Sequence, residues 1–263
     1  MALLQINYRS KVLSEDQEMV VILPEKEAVD ADLTEIPVLY LLHGMGGNEL
    51  TWLRQTRLAR LIRRTNLAVV MPTTGLGWYT NTTYGMNYFD ALALELPEKI
   101  HEMFPQLATS RERNFVAGLS MGGYGAWKFA FGTNKFSYAA SLSGALDLSQ
   151  MNLDLIKDEQ QLAYWQGIFG NLNDFAGSEN DLLELARQQA AKNLELPKLF
   201  AWIGTDDDLY LSNQSAKKEV EGLGYQLNYQ KSRGRHEWYY WDQLLEDVLR
   251  WLPIDYVEEE RLI

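Results

Sequence analysis

The chain has 263 residues, 46% of them hydrophobic and 23% charged, with a formal net charge of −12 and no cysteine. Such a size and composition describe one globular domain with a sizeable core, spanning 1–263. The acidic balance excludes a nucleic-acid partner, which needs a positive footprint, and the absence of thiols excludes disulfides, thiolate metal sites and a cysteine nucleophile. No run reaches the roughly 18 apolar residues that a membrane span requires, and the N-terminus lacks a basic start with an apolar core, so no membrane partner and a cytoplasmic location are expected.

In chain order, Leu3 to Arg9 and Glu18 to Leu23 predict two strands joined by the polar turn at Ser14-Glu15-Asp16, an antiparallel hairpin at a sheet edge. Val38-Leu39-Tyr40-Leu41-Leu42 is continuously apolar, as expected of a parallel strand buried on both faces, and it runs into the glycine-rich loop His43-Gly44-Met45-Gly46-Gly47-Asn48. A short helix around Leu58, Leu61 and Ile62 and a strand over Leu67 to Met71 complete a βαβ unit. The aromatic loop Gly75-Leu76-Gly77-Trp78-Tyr79 follows, then an amphipathic helix from Phe89 to Phe104 that Pro97 should kink.

Asn114 to Ala117 and Phe136 to Leu142 read as further strands. From 147 to 195 the pattern becomes helical and aromatic without a core strand, and is expected to form a cap-like insertion over the strand ends. Lys198 to Ile203, a helix over Ser212 to Glu221, a strand over Tyr225 to Gln230 and a last helix carrying Trp238, Trp241, Leu245 and Leu249 close the chain. Strands alternating with helices throughout predict an α/β fold, a mostly parallel sheet covered by helices on both faces.

The chemistry centres on Gly118-Leu119-Ser120-Met121-Gly122, a G-x-S-x-G sequence between a strand and a helix. There the serine occupies a sharp turn with its hydroxyl exposed above the sheet, suited to attack on an acyl carbon. A serine needs a base, and the chain has three histidines. His101 lies among Glu98, Lys99 and Glu102 on a solvated helix face, and His43 is placed to brace the glycine loop. His236, between the last strand and the last helix, is the base in the order serine, acid, histidine.

The acid belongs on the turn after the preceding strand, where Asp206, Asp207 and Asp208 stand together, and spacing alone does not choose among them; Asp147 is a distant fourth candidate. The triple aspartate lacks the rest of a calcium loop, the histidines lack zinc spacing, and the glycine loop lacks the lysine of a phosphate cradle. Oxyanion donors are expected from the backbone N–H of Met121 and, in the His43 to Gly46 loop, of Met45. Trp52, Trp78, Tyr79 and Trp165 are candidate pocket walls that would limit acyl chain length.

Together, His43 to Asn48, Gly118 to Gly125, Gly204-Thr205-Asp206-Asp207 and His236-Glu237-Trp238 resemble the esterase D family, which includes bacterial tributyrin esterases. The likeness runs from about residue 2 to 252. It implies an α/β-hydrolase fold, Asp207 as the acid, no cofactor, and a serine carboxylesterase acting on small-molecule esters of short acyl chains, acetyl to butyryl. The alternatives are an S-formylglutathione-type thioesterase or acyltransferase using the same residues, and a non-catalytic binding protein on this fold. Homo-oligomers are common for such folds, but no stripe in the sequence specifies one.

Overall fold

A computed structural model of the chain describes residues 1–29, 33–150, 158–192 and 194–258. β1 (Ala2–Ser10) and β2 (Glu15–Leu23) form the edge hairpin, followed by a single helical turn, α1 (Lys26–Val29). β3 (Val38–Leu42) leads to the short helices α2 (Thr51–Gln55) and α3 (Leu58–Leu61), and then to β4 (Ala68–Pro72). After α4 (Leu96–Met103) come β5 (Asn114–Leu119), α5 (Met121–Gly132) and β6 (Tyr138–Leu142). The 147–195 stretch holds α6 (Glu159–Phe169) and α7 (Leu182–Ala190); its residues 151–157 and 193 lie outside the described residues. β7 (Lys198–Gly204), α8 (Tyr210–Gly222), β8 (Leu227–Ser232) and α9 (Trp238–Trp251) complete the fold.

Among the described residues eight strands make one sheet in the order β1-β2-β4-β3-β5-β6-β7-β8. β1, β2 and β4 pair antiparallel; from β4 to β8 every pairing is parallel. The alternation of side chains along each strand feeds two cores. Val38, Tyr40 and Leu42 of β3 point into one shared with α4, α5, α7 and α8. Leu39 and Leu41 point into another, shared with α2, α3 and α9. Because both faces are covered, every residue of β3, β4 and β5 is buried, which is why these strands read as unbroken apolar runs.

Two local readings change. The helix expected from Phe89 to Phe104 is not α-helical throughout: residues Asp90–Glu95 form a π-helical turn that runs into α4 at Leu96, with Pro97 in its first turn. Lacking an N–H, Pro97 cannot bond back to the helical turn that precedes it, and it stands at the junction between the two helical forms. The 147–195 stretch also divides in two. Leu182, Leu183 and Ala186 of α7 pack into the same core as α5, in the helical layer beside the sheet, while α6 lies against the 76–84 loop near the strand ends.

β3 and β5 are neighbours whose connections leave toward opposite faces, β3 into α2 and β5 into α5. Such a switch point opens a crevice at the carboxyl edge of an α/β sheet. The pairing of Leu42 with Gly118 brings the His43 loop beside Ser120.

Candidate active site

Ser120 joins β5 to α5 with φ +53° and ψ −119°, a strained geometry for a residue with a side chain. Backbone bonds over-determine it: the Ser120 N–H donates to the Leu142 carbonyl at 2.9 Å, and its own carbonyl accepts from the Tyr124 N–H at 3.1 Å. The two glycines of the motif are required by close approach. A Cβ on Gly118 would stand 2.2 Å from the Gly122 carbonyl oxygen, and one on Gly122 would stand 2.4 Å from that of Leu42.

His236 reaches this hydroxyl from the loop between β8 and α9. The Ser120 Oγ lies 2.9 Å from His236 Nε2, and His236 Nδ1 lies 3.0 Å from Asp207 Oδ2. A carboxylate only accepts, so Nδ1 carries the proton and Nε2 is free to accept from Ser120. Asp207 is delivered by the turn after β7, where the Asp206 N–H donates to the Gly234 carbonyl at 2.9 Å and locks that turn against the His236 loop.

Of the three consecutive aspartates, only Asp207 is buried and faces the imidazole. Asp206 is exposed beside Arg233 at 3.7 Å, and Asp208 is exposed. Asp147 bonds instead to Ser149. Burial alone would raise the Asp207 carboxyl. Hydrogen bonds from His236, the Leu209 N–H and Ser143 outweigh that and hold it below the usual aspartate range.

Facing Ser120, residues Gly44 to Gly47 make a turn closed by a 3.0 Å bond from the Gly47 N–H to the Gly44 carbonyl, with Gly46 at φ +77°. This is a type II turn, whose third residue needs the left-handed region that glycine enters freely. Met45 is the second residue of the turn, its side chain 57% exposed at the cleft. The Met121 N–H is in the first turn of α5, where backbone donors have no intrahelical acceptor. His43 sits under the loop, buried, with Nδ1 2.8 Å from the Gly44 carbonyl, and burial pushes its pKa down to about 4.

The cleft around Ser120 and His236 has a volume of about 600 Å³. Its apolar walls are Met45, Leu119, Trp238 and Trp241, and Arg54 and Glu237 bring opposite charges to it. None of the four aromatic residues expected as walls lines it. Trp52 is buried behind Trp238, ring centroids 5.3 Å apart, with its indole N–H donating to the Leu42 carbonyl at 3.0 Å. Tyr79 is fully buried and its hydroxyl donates to the His43 carbonyl at 3.0 Å.

Trp78 and the half-buried Trp165 pack on each other and on Phe169 of α6, in the aromatic layer that anchors the insertion. Trp238 and Trp241 took their place because the first turn of α9 projects into the cleft; the only sequence signal was their nearness to His236. Among the described residues no group of three or more His, Asp or Glu side chains is placed to hold a metal ion, and no helix is long and apolar enough to cross a membrane.

Residues 10–252 match the Esterase family. An acetyl esterase of Caldicellulosiruptor saccharolyticus is 31% identical over 96% of this chain and 98% of its own. Among solved structures, the fluorophosphonate-binding serine hydrolase F of Staphylococcus aureus superposes with a TM-score of 0.85 at 32% identity, covering 95% of this chain and 98% of that one. An S-formylglutathione hydrolase of the same species gives 0.83 at 32% identity with the same coverage. The chain thus belongs to the Esterase family, has the α/β-hydrolase fold of these serine hydrolases, and is a carboxylic ester hydrolase.

Proposed function

We propose that this esterase cleaves short-chain acyl esters, acetyl to butyryl, with Ser120 as nucleophile, His236 as general base and then acid, and Asp207 orienting the imidazole. The observation that carries the reading is the continuous hydrogen-bonded line from Ser120 Oγ to His236 Nε2 at 2.9 Å and from His236 Nδ1 to Asp207 at 3.0 Å. As Oγ bonds to the ester carbon, its proton passes to His236, and the carbonyl electrons move onto the oxygen facing the Met45 and Met121 N–H groups. Collapse breaks the bond to the alcohol oxygen, which takes the proton from His236 and leaves. A water deprotonated by the same histidine then releases the acid and restores Ser120. The low pKa of Asp207 keeps it anionic, so that it stabilises the imidazolium formed in each half-reaction.

The short acyl preference is supported by the acetyl esterase relative. The test is a fluorophosphonate probe together with p-nitrophenyl esters from acetate to octanoate. A mass increase on Ser120, and hydrolysis fastest on acetate to butyrate, are expected. Octanoate as the best substrate would sink the chain-length claim, and an unlabelled Ser120 in folded protein would sink the nucleophile.

A thioester reading is favoured by one observation, the likeness to a Staphylococcus S-formylglutathione hydrolase. A thioester turned over with a higher kcat/KM than the matched oxygen ester would make it the better description.

A further inference from the structure

The Asp207 carboxylate is held by more than the imidazole. Its Oδ1 accepts the Leu209 N–H at 2.9 Å, and the Ser143 hydroxyl lies against the same carboxylate and helps to hold it ionised. Ser143 follows β6 directly, is fully buried, and adopts φ +49°. That conformation is strained for a residue other than glycine and persists only where the surroundings over-determine it. They do so here. The Ser143 N–H donates to the Trp202 carbonyl of β7 at 2.8 Å, and its Oγ accepts the indole N–H of Trp241 at 3.1 Å.

An indole N–H can only donate, so the Ser143 oxygen is the acceptor in that bond and its own proton is left for the carboxylate. Trp241 also stands edge-on to the His236 ring, centroids 4.9 Å apart at 84°. One buried indole therefore touches the histidine directly and the aspartate through a single hydroxyl.

We propose that Ser143 and Trp241 are a pair of positioning residues that fixes the orientation of the Asp207 carboxylate and, through it, of the His236 imidazole. The proposal rests on the catalytic reading of Ser120, His236 and Asp207. Ser143 is confined to the left-handed conformation so that its hydroxyl can take the indole proton on one side and give its own to Asp207 on the other. An alternative in which both residues merely fill space predicts a loss of stability when they are cut back, with each folded molecule as active as before.

The experiment uses the full chain with S143G, S143A and W241F. Glycine tolerates φ +49° better than serine, so S143G removes the hydroxyl while relieving the backbone. For p-nitrophenyl acetate we expect kcat per fluorophosphonate-reactive serine to fall about tenfold in S143G and S143A, with KM changed less than twofold, since orientation acts on the transition state rather than on ground-state binding. We expect the S143G thermal midpoint to be no lower than that of S143A. S143A combined with W241F should lose no more than the worse single variant, because both break one chain of contacts.

Wild-type kcat in S143G or S143A, counted per reactive serine, overturns the proposal, as does full additivity in the double variant. Failure of the underlying reading looks different: the wild type itself would leave Ser120 unlabelled, and S120A would keep its activity.

Discussion

His43 Nε2 accepts the backbone N–H of Thr74 at 3.1 Å, which ties the loop after β3 to the loop after β4. With Nδ1 committed to the Gly44 carbonyl, the ring is a neutral clamp with one fixed tautomer, and it fixes the carbonyl from which the turn carrying Met45 begins. A proton on Nε2 would remove the acceptor and place a charge in a buried site.

Stability should respond to that proton. Burial lowers the His43 pKa from 6.5 to about 4, so between those values the unfolded chain binds a proton that the folded chain refuses. Its contribution is complete above pH 6.5 and is lost as pH falls toward 4, by about 3 kcal/mol over the window. Urea unfolding from pH 7 to 4.5 should show this decline in the wild type and a shallower one in H43N. Parallel curves would refute the assignment. Asp207, whose pKa is held low, adds its own loss only below this range, as pH falls through its ordinary value and beyond.

The three aspartates after β7 offer an internal control. Asp207→Asn should lower kcat about 10³- to 10⁴-fold, because an amide can donate to Nδ1 and so favour the wrong imidazole tautomer. Asp206→Asn, next in the chain but exposed beside Arg233, should stay within twofold. Steady-state kinetics on p-nitrophenyl acetate separate the two, and equal losses would show that the acid is not Asp207 alone.

What the sequence made legible, and what it hid, divides along a physical line. Apolar runs bounded by glycine and proline announce buried parallel strands, so β3, β4 and β5 and the loops after them could be read. The G-x-S-x-G turn carries its own steric logic, visible in the backbone contacts of Gly118 and Gly122. Asp206, Asp207 and Asp208 differ only in which way a turn aims them, and that depends on the bond from Asp206 to Gly234, a residue 28 positions away that no local pattern reveals. Trp52 follows the glycine loop after β3 and Tyr79 ends the loop after β4, yet both point inward. Trp238 and Trp241 read as one face of a helix, yet its first turn reaches the cleft. Ser143 left only a weak trace, a polar residue directly after an apolar strand.

Alanine at Gly118 tests the elbow. Its Cβ would meet backbone atoms at 2.2 and 2.4 Å, with no flexible side chain to give way, so β5 and α5 must part. A loss on the order of 3 kcal/mol, with activity abolished, is expected from such overpacking. Gly46→Ala meets nothing within 4 Å and strains only its φ of +77°, a cost of about 1 kcal/mol or roughly 2–4 °C in thermal midpoint. Calorimetry on both variants gives the ranking; a Gly118→Ala protein as stable as Gly46→Ala would show that the turn can relax.

Lys128 is the buried cation of α5, the helix that follows Ser120. Its ammonium donates to Thr80, Asn180 and Tyr124, joining α5 to the loop before α7, and Tyr124 in turn donates to the Asn180 carbonyl at 2.8 Å. Burial pushes its pKa from 10.5 down to about 7, with Glu179 opposing the shift. Between pH 7 and 10.5 the unfolded chain therefore holds a proton that the folded chain releases, and stability climbs with pH. From pH 7 to 9 the rise should be about 2 kcal/mol, before the tyrosines whose pKa values burial has raised begin to oppose it above pH 10. Lys128→Met should flatten urea-unfolding stability across that window, and a variant that still gains as much as the wild type would assign the climb to another group.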